Sequence, residues 1–152
     1  MYQIDRPGAV AASLPAPTKK SLFAALAQMA ERAHGIPHEE VLERLVERER
    51  LGSTGFGGGT AIPHGRIDRL TEIVAVFVRL PLPLDFDSVD GLPVDLVFML
   101  LSPTDAGARH LQALASVSRL LRDRAFLAKV RDAANEDALV ALFSTDADRD
   151  AA

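Results

Sequence analysis

The chain has 152 residues, 48% of them apolar and 25% charged, with a net charge of −4 and no cysteine. These figures suit one globular domain with its own core, exclude disulfides and thiolate metal sites, and argue against a nucleic-acid partner, whose phosphates ask for a basic surface. The opening "MYQIDRPGAVAASLPAPTKK" lacks the basic and apolar segments of a secretory signal. No apolar run approaches the roughly 20 residues that span a bilayer, so a cytoplasmic protein without direct membrane insertion is expected.

Residues 1–17 are rich in Pro and Ala. They read as a loose end, set apart over 1–13, with room for one short strand. A helix starts after Thr18, a capping residue, with Leu22, Leu26, Met29 and Ala33 on one stripe and Phe23 and Ala30 beside it. His34-Gly35 stops it, and Pro37 opens a second helix that buries Val41, Leu42, Leu45 and Val46 and runs to about Arg50. A glycine-rich loop follows, then "TAIP" as a short strand leading to His64. The apolar runs 72–80 and 94–101 read as central strands buried on both faces, with a turn at Asp90-Gly91 between them. Thr104 or Asp105 is placed to cap a third helix with Leu111, Leu114, Val117 and Leu121 on its inner face. Helical pieces are expected over 124–132 and 135–143, and "STDADRDAA" as a frayed end. Helices flanking strands predict an α/β fold in a single domain over residues 14–145, with a tail over 146–152.

Several site motifs fail on inspection. The glycine loop lacks the Gly-Lys-Ser/Thr of a phosphate-binding P-loop, and Thr60 stands where a dinucleotide fingerprint needs its third glycine. "DFDSVDG" misses the spacing of a calcium loop. His34 and His38 stand four apart, but Gly35 and Pro37 break the helix between them, so both read as junction residues rather than metal ligands. His64 and His110 remain. Either alone reads as an ordinary hydrogen-bonded histidine. Both, however, lie just beyond expected strands, where open α/β sheets form their crevices. A neutral imidazole is a good nucleophile at neutral pH and accepts a phosphoryl group readily. Backbone N–H groups of the glycine loop and an arginine among Arg44, Arg48, Arg50 and Arg66 are candidates to hold the phosphoryl oxygens. The alternating charges of "ERLVERER" make each arginine, taken singly, a solvated face residue.

"RERLGSTGFGGGTAIPHG", "PVDLVFMLLSP" and "RHLQALASVSRLL", in that order, resemble the IIA phosphocarrier domain of the phosphoenolpyruvate-dependent sugar phosphotransferase system, in its fructose/mannitol/nitrogen-regulatory class. The resemblance spans residues 14–145. It implies a mixed, mostly parallel sheet with helices on both faces. It implies phosphorylation of His64 on Nε2, support of the phosphoryl group by His110, and charge stabilisation by Arg48. The implied donor is a phosphohistidine carrier protein charged by enzyme I, with no cofactor and no metal. One departure is Gly57-Gly58-Gly59 where the family often reads Gly-Asn-Gly, which removes a side-chain hydrogen-bonding group expected near the site.

With no IIB or IIC segment in the chain, and with "GSTG" more like the nitrogen-regulatory branch, the expectation is a regulatory phosphocarrier whose phosphorylation state controls binding to target proteins. The alternatives are a sugar-transport IIA that passes phosphate to a separate IIB, and a binding module without chemistry.

Overall fold

The computed structural model describes residues 6–151, with 145–151 as backbone alone. The sheet is organised by β6 (Val94–Pro103), which is buried along nearly its whole length. On one side it pairs antiparallel with β5 (Val74–Leu84), and β5 pairs parallel with the edge strand β1 (Ala9–Ala11). On the other side β6 pairs parallel with β3 (Thr60–Ala61) and, farther along, with β4 (His64–Ile67). β2 (Gly55–Gly57) folds back antiparallel on β3. The sheet is therefore mixed: the β1, β3 and β4 pairings are parallel, while the longest ladder, β5 on β6, is antiparallel.

Two helical layers cover this sheet. α1 (Lys19–His34) and α2 (His38–Arg50) lie on one face. α3 (Ala108–Leu121), α4 (Arg124–Asp132) and α5 (Glu136–Ala151) lie on the other. Strand alternation divides the core accordingly. Val76, Val78, Val97 and Met99 face Leu22, Leu26, Val41 and Leu45. Phe77, Phe98 and Leu100 face Val117, Phe126, Leu139 and Phe143.

Local chemistry explains the element ends. The Thr18 hydroxyl accepts from the Ser21 N–H while the Ser21 hydroxyl accepts from the Thr18 N–H, and Gly35 ends α1 at φ 71°, in the left-handed region open to glycine. The short strand expected within residues 1–17 is β1, although residues 1–5 lie outside the described part.

Four expectations need correction. Ala33 is exposed and Ala27 takes the inward place. α3 starts behind Gly107 with no side-chain cap, so neither Thr104 nor Asp105 caps it. Its buried face differs in the first turns: Leu111 is 65% exposed, whereas His110 and Ala113 point inward, and Val117 and Leu121 are buried as expected. The cause is polar, because His110 turns in to meet a buried hydroxyl. Finally, α5 runs on to Ala151, so the stretch read as a frayed end is helical that far.

Phe143 anchors α5. Its ring lies 4.8, 5.8 and 5.4 Å from those of Phe77, Phe98 and Phe126. Phe143→Ala is expected to lower stability by about 3–5 kcal/mol, read from the denaturant midpoint. A loss below about 1 kcal/mol would show that α5 adds little to this core.

Candidate functional site

The site begins where one strand along β6 changes partner. β3 and β4 run along β6 in a single register, with Ile62-Pro63 between them, and β2 covers β3 but not β4. Pro63 has no N–H to give a ladder, although its carbonyl still accepts from Leu100 N–H at 3.0 Å. The Ile62 N–H donates to the Thr54 carbonyl, also at 3.0 Å, in continuation of the β2–β3 pairing. The Thr54 N–H goes to Glu49 rather than back to Ile62, and the Ile62 carbonyl meets His64 Nδ1 at 2.8 Å. A carbonyl can only accept, so Nδ1 holds the ring proton and Nε2 presents its lone pair. Arg48 Nε donates to that lone pair at 3.1 Å, and Arg48 Nη1 is held by the Gly52 carbonyl at 2.9 Å.

His110 faces His64 with ring centroids 5.7 Å apart and planes inclined by 54°. It stands in the first turn of α3, only 6% exposed, with Nδ1 2.7 Å from the Ser102 hydroxyl. Burial lowers the pKa of His110 to about 4, with the Arg66 guanidinium and His64 acting in the same direction. Burial also lowers the pKa of His64; its bond to Ile62 opposes the shift, and Arg48 adds to it. Both rings are therefore neutral at pH 7. His64 presents an unprotonated Nε2, and His110 is a second neutral ring beside it.

A crevice of about 450 Å³ opens over the two rings, rimmed by Arg44, Arg48, Arg66, Thr104 and Leu51. Of the four candidate arginines, Arg50 is exposed and does not line it. Arg44 pairs with Glu47 at 2.9 Å, and Arg66 Nη1 reaches the Thr104 carbonyl at 3.2 Å.

The glycine loop does not line this crevice, contrary to expectation. Gly57, Gly58 and Gly59, all at positive φ, form the turn between β2 and β3. They sit by Asp90 and Arg131: Gly58 N–H donates to Asp90, and Arg131 donates to the Gly58 carbonyl and to Asp95. Gly57 and Gly58 line a separate groove of about 550 Å³ with Phe56, Arg122 and Leu127. A side chain at Gly58 would thus stand away from His64. Its φ of 65° is one that asparagine adopts readily, so the exchange of Asn for Gly leaves the histidine crevice intact.

The glycine that matters at the site is Gly65. A Cβ there would come within 3.1 Å of the Arg44 Cβ, so its absence lets α2 lie close against β4. Sequence reasoning missed Glu49, which looked like one more solvated charge. Glu49 turns inward, pairs with Lys19 at 2.9 Å, and accepts from the Thr54 hydroxyl at 2.6 Å and the Thr54 N–H. Ser53 donates to the Phe86 carbonyl at 2.6 Å. Ser53 and Thr54 of the "GSTG" stretch thus pin the chain that leaves α2, just beyond Arg48. His38, as expected, is a junction residue. Its Nδ1 meets Glu31 at 2.8 Å and its Nε2 meets Glu39 at 3.2 Å. Those three residues are the one group of potential metal ligands among the described residues, and it lies at the α1–α2 junction, outside the crevice. His34 closes α1.

Fold and site together define a single-domain α/β protein in which two neutral imidazoles face each other under a rim of arginines. Residues 6–145 match the family described as "Phosphoenolpyruvate-dependent sugar phosphotransferase system, EIIA 2", and the chain belongs to that family. It is similar to the nitrogen regulatory protein of Bradyrhizobium diazoefficiens, 44% identical over 138 residues, which are 91% of this chain and 90% of that one. The nitrogen regulatory protein of Escherichia coli is 38% identical over 123 residues, 80% of this chain and 76% of that one. The crystal structure of nitrogen regulatory protein IIA-Ntr from Neisseria meningitidis has the same fold, with a TM-score of 0.82 at 32% identity, covering 92% of this chain and 94% of that one. Among the described residues no helix is long and apolar enough to cross a membrane.

The depressed pKa of His110 has a measurable consequence. The folded chain binds this proton only near pH 4, whereas an unfolded histidine binds it near 6.5. The unfolded state therefore takes up the proton first, and stability falls as pH drops through that window, with His64 acting in the same sense. Between pH 6.5 and 4, the wild type is expected to lose on the order of 3 kcal/mol more than His110→Gln, measured by denaturant unfolding at each pH. Equal slopes for the two proteins would show that His110 is not held neutral.

Proposed function

We propose that this chain is a regulatory phosphoryl carrier, in which His64 Nε2 accepts a phosphoryl group from a phosphohistidine carrier protein and the phosphorylation state controls which partners bind. The observation that carries this reading is the fixed tautomer of His64, whose Nε2 lone pair opens into the crevice beside Arg48 and His110. In the transfer, the Nε2 lone pair attacks phosphorus and forms the new N–P bond. The donor's N–P bond breaks, and its electron pair returns to the donor imidazole. The Nδ1 proton stays on His64, where the Ile62 carbonyl stabilises the positive charge the ring acquires. Arg48 turns from the consumed lone pair to the phosphoryl oxygens, and His110 supports the same group from across the crevice. Such a reaction asks the protein mainly for positioning and charge stabilisation.

The surroundings suit a macromolecular donor. Leu51 on the rim is 85% exposed, so apolar contact is available beside the reacting ring. The regulatory reading is supported by likeness to nitrogen regulatory proteins over most of the chain.

The test is a phosphorylation assay with enzyme I, its carrier protein and phosphoenolpyruvate, followed by intact mass. The wild type is expected to gain one acid-labile phosphate, and His64→Ala none. His110→Ala and Arg48→Ala are expected to slow uptake by roughly tenfold or more without abolishing it. Labelling of His64→Ala at another histidine would overturn the assignment. Rapid passage of the phosphate to an added IIB protein would favour the transport role over the regulatory one. No uptake by the wild type from an active carrier would leave a binding module.

A further inference from the structure

We infer that Ser102 fixes the tautomer of His110, so that its Nε2 carries a proton and offers the crevice an N–H beside the His64 lone pair. The consequence for transfer rests on the phosphoryl-carrier reading; the tautomer itself does not. Ser102 lies on β6 opposite Arg66 in β4, fully buried. Among the described residues its hydroxyl has a single partner, His110 Nδ1 at 2.7 Å. Two arrangements are open to this pair. In one, the ring N–H donates and the buried hydroxyl proton is left without an acceptor, which carries the full desolvation penalty of an unmatched donor. In the other, the hydroxyl donates to Nδ1, and both the hydroxyl proton and the ring lone pair are matched. The second arrangement wins, and Nε2 then holds the proton of the neutral ring.

The two histidines are thus opposites. His64 is protonated on Nδ1 because a carbonyl, which can only accept, faces it. His110 is protonated on Nε2 because a hydroxyl with no other acceptor faces its Nδ1. One ring offers the crevice a lone pair and the other an N–H. With both protonated on Nδ1, two lone pairs would face an anionic phosphoryl group. With both protonated on Nε2, the nucleophile would be lost. Ser102 is therefore a positioning residue, acting on the phosphoryl oxygens only through His110. Burial, which keeps His110 from becoming a donor at both nitrogens, is what makes the choice of tautomer matter.

Imidazole nitrogen NMR of the unphosphorylated protein at pH 7 reads this directly, whether or not phosphoryl uptake occurs. His64 is expected to show a protonated Nδ1 and a bare Nε2, and His110 the reverse. In Ser102→Ala, the His110 Nδ1 resonance is expected to move away from its hydrogen-bonded position while the His64 resonances hold. Phosphoryl uptake from the carrier is expected to slow roughly tenfold. Ser102→Thr keeps the hydroxyl and should restore both. A wild-type spectrum with the proton on His110 Nδ1 overturns the inference. So does a Ser102→Ala protein whose ring resonances and uptake match the wild type. Failure of the wild type to take up phosphate at all, with the expected ring pattern present, would count against the carrier reading and not against the tautomer.

Discussion

The bond from His64 Nδ1 to the Ile62 carbonyl is the constraint around which the crevice is built. The strand along β6 keeps one register from Thr60 to Ile67, so the Pro63 carbonyl faces β6 and accepts from Leu100, while the groups of Ile62 face the β2 side. There the Ile62 N–H donates to the Thr54 carbonyl, but the Thr54 N–H is taken by Glu49. The Ile62 carbonyl is left to the ring two residues on. The residue at the end of β2 thus helps to set the tautomer of the histidine. The bond leaves Nε2 unprotonated at neutral pH with no other group acting as a base.

The second requirement is that a cation reach Nε2 without neutralising itself elsewhere. α2 meets it through neighbouring positions with opposite orientations. Arg48 projects into the crevice, while Glu49, one residue on, turns inward to Lys19 and Thr54. Such a partly buried carboxylate is tolerable because a cation and two donors meet it. Gly65 brings α2 close enough to β4 for the arginine to reach the ring. Lys19 closes the arrangement from α1, since its ammonium also donates to the Phe86 carbonyl at 3.1 Å. The position of Arg48 is thus tied to α1, to α2 and to the loop behind β5.

Much of this was legible in the sequence. Long apolar runs announce β5 and β6, because strands buried on both faces need them. Thr18, Gly35 and Pro37 punctuate α1 and α2 by local chemistry. His64 and His110 emerge from their places after strands and from the family resemblance. Long-range polar pairing was not legible. Glu49 has the pattern of an exposed charge, and only the arrival of Lys19 and Thr54 makes it an inner residue. The first turn of α3 departs from the expected face for a related reason: apolar periodicity points to Leu111, whereas the Ser102 hydroxyl meets His110 inside, and Val117 and Leu121 are buried as the periodicity predicts. The glycine cluster was misassigned because local conformational freedom does not say which neighbours a turn will meet. Gly57, Gly58 and Gly59 serve a hairpin beside Asp90, Asp95 and Arg131, whereas Gly52 holds Arg48 by its carbonyl and Gly65, outside the run, lets α2 approach β4.

Under the proposed function, this architecture also determines how a partner would sense the phosphate. The phosphoryl group adds roughly −1.5 to −2 charge at pH 7. It enters a crevice where Arg48 and Arg66 carry no carboxylate partner among the described residues, while Arg44 is already paired with Glu47. The added charge therefore meets a positive site and largely cancels it. Leu51 stands exposed on the rim, and the backbones of β4, β6 and α2 are held by bonds that do not involve the Nε2 atom. Only the Arg48 side chain, which donates to Nε2, has to turn for the charge to change. Discrimination between the two forms would then be electrostatic, acting on an apolar contact surface common to both. A purely electrostatic distinction weakens as salt screens the exposed rim. A distinction that survived high salt would instead require a rearrangement of α2, the one element that carries both the cation and its anchor.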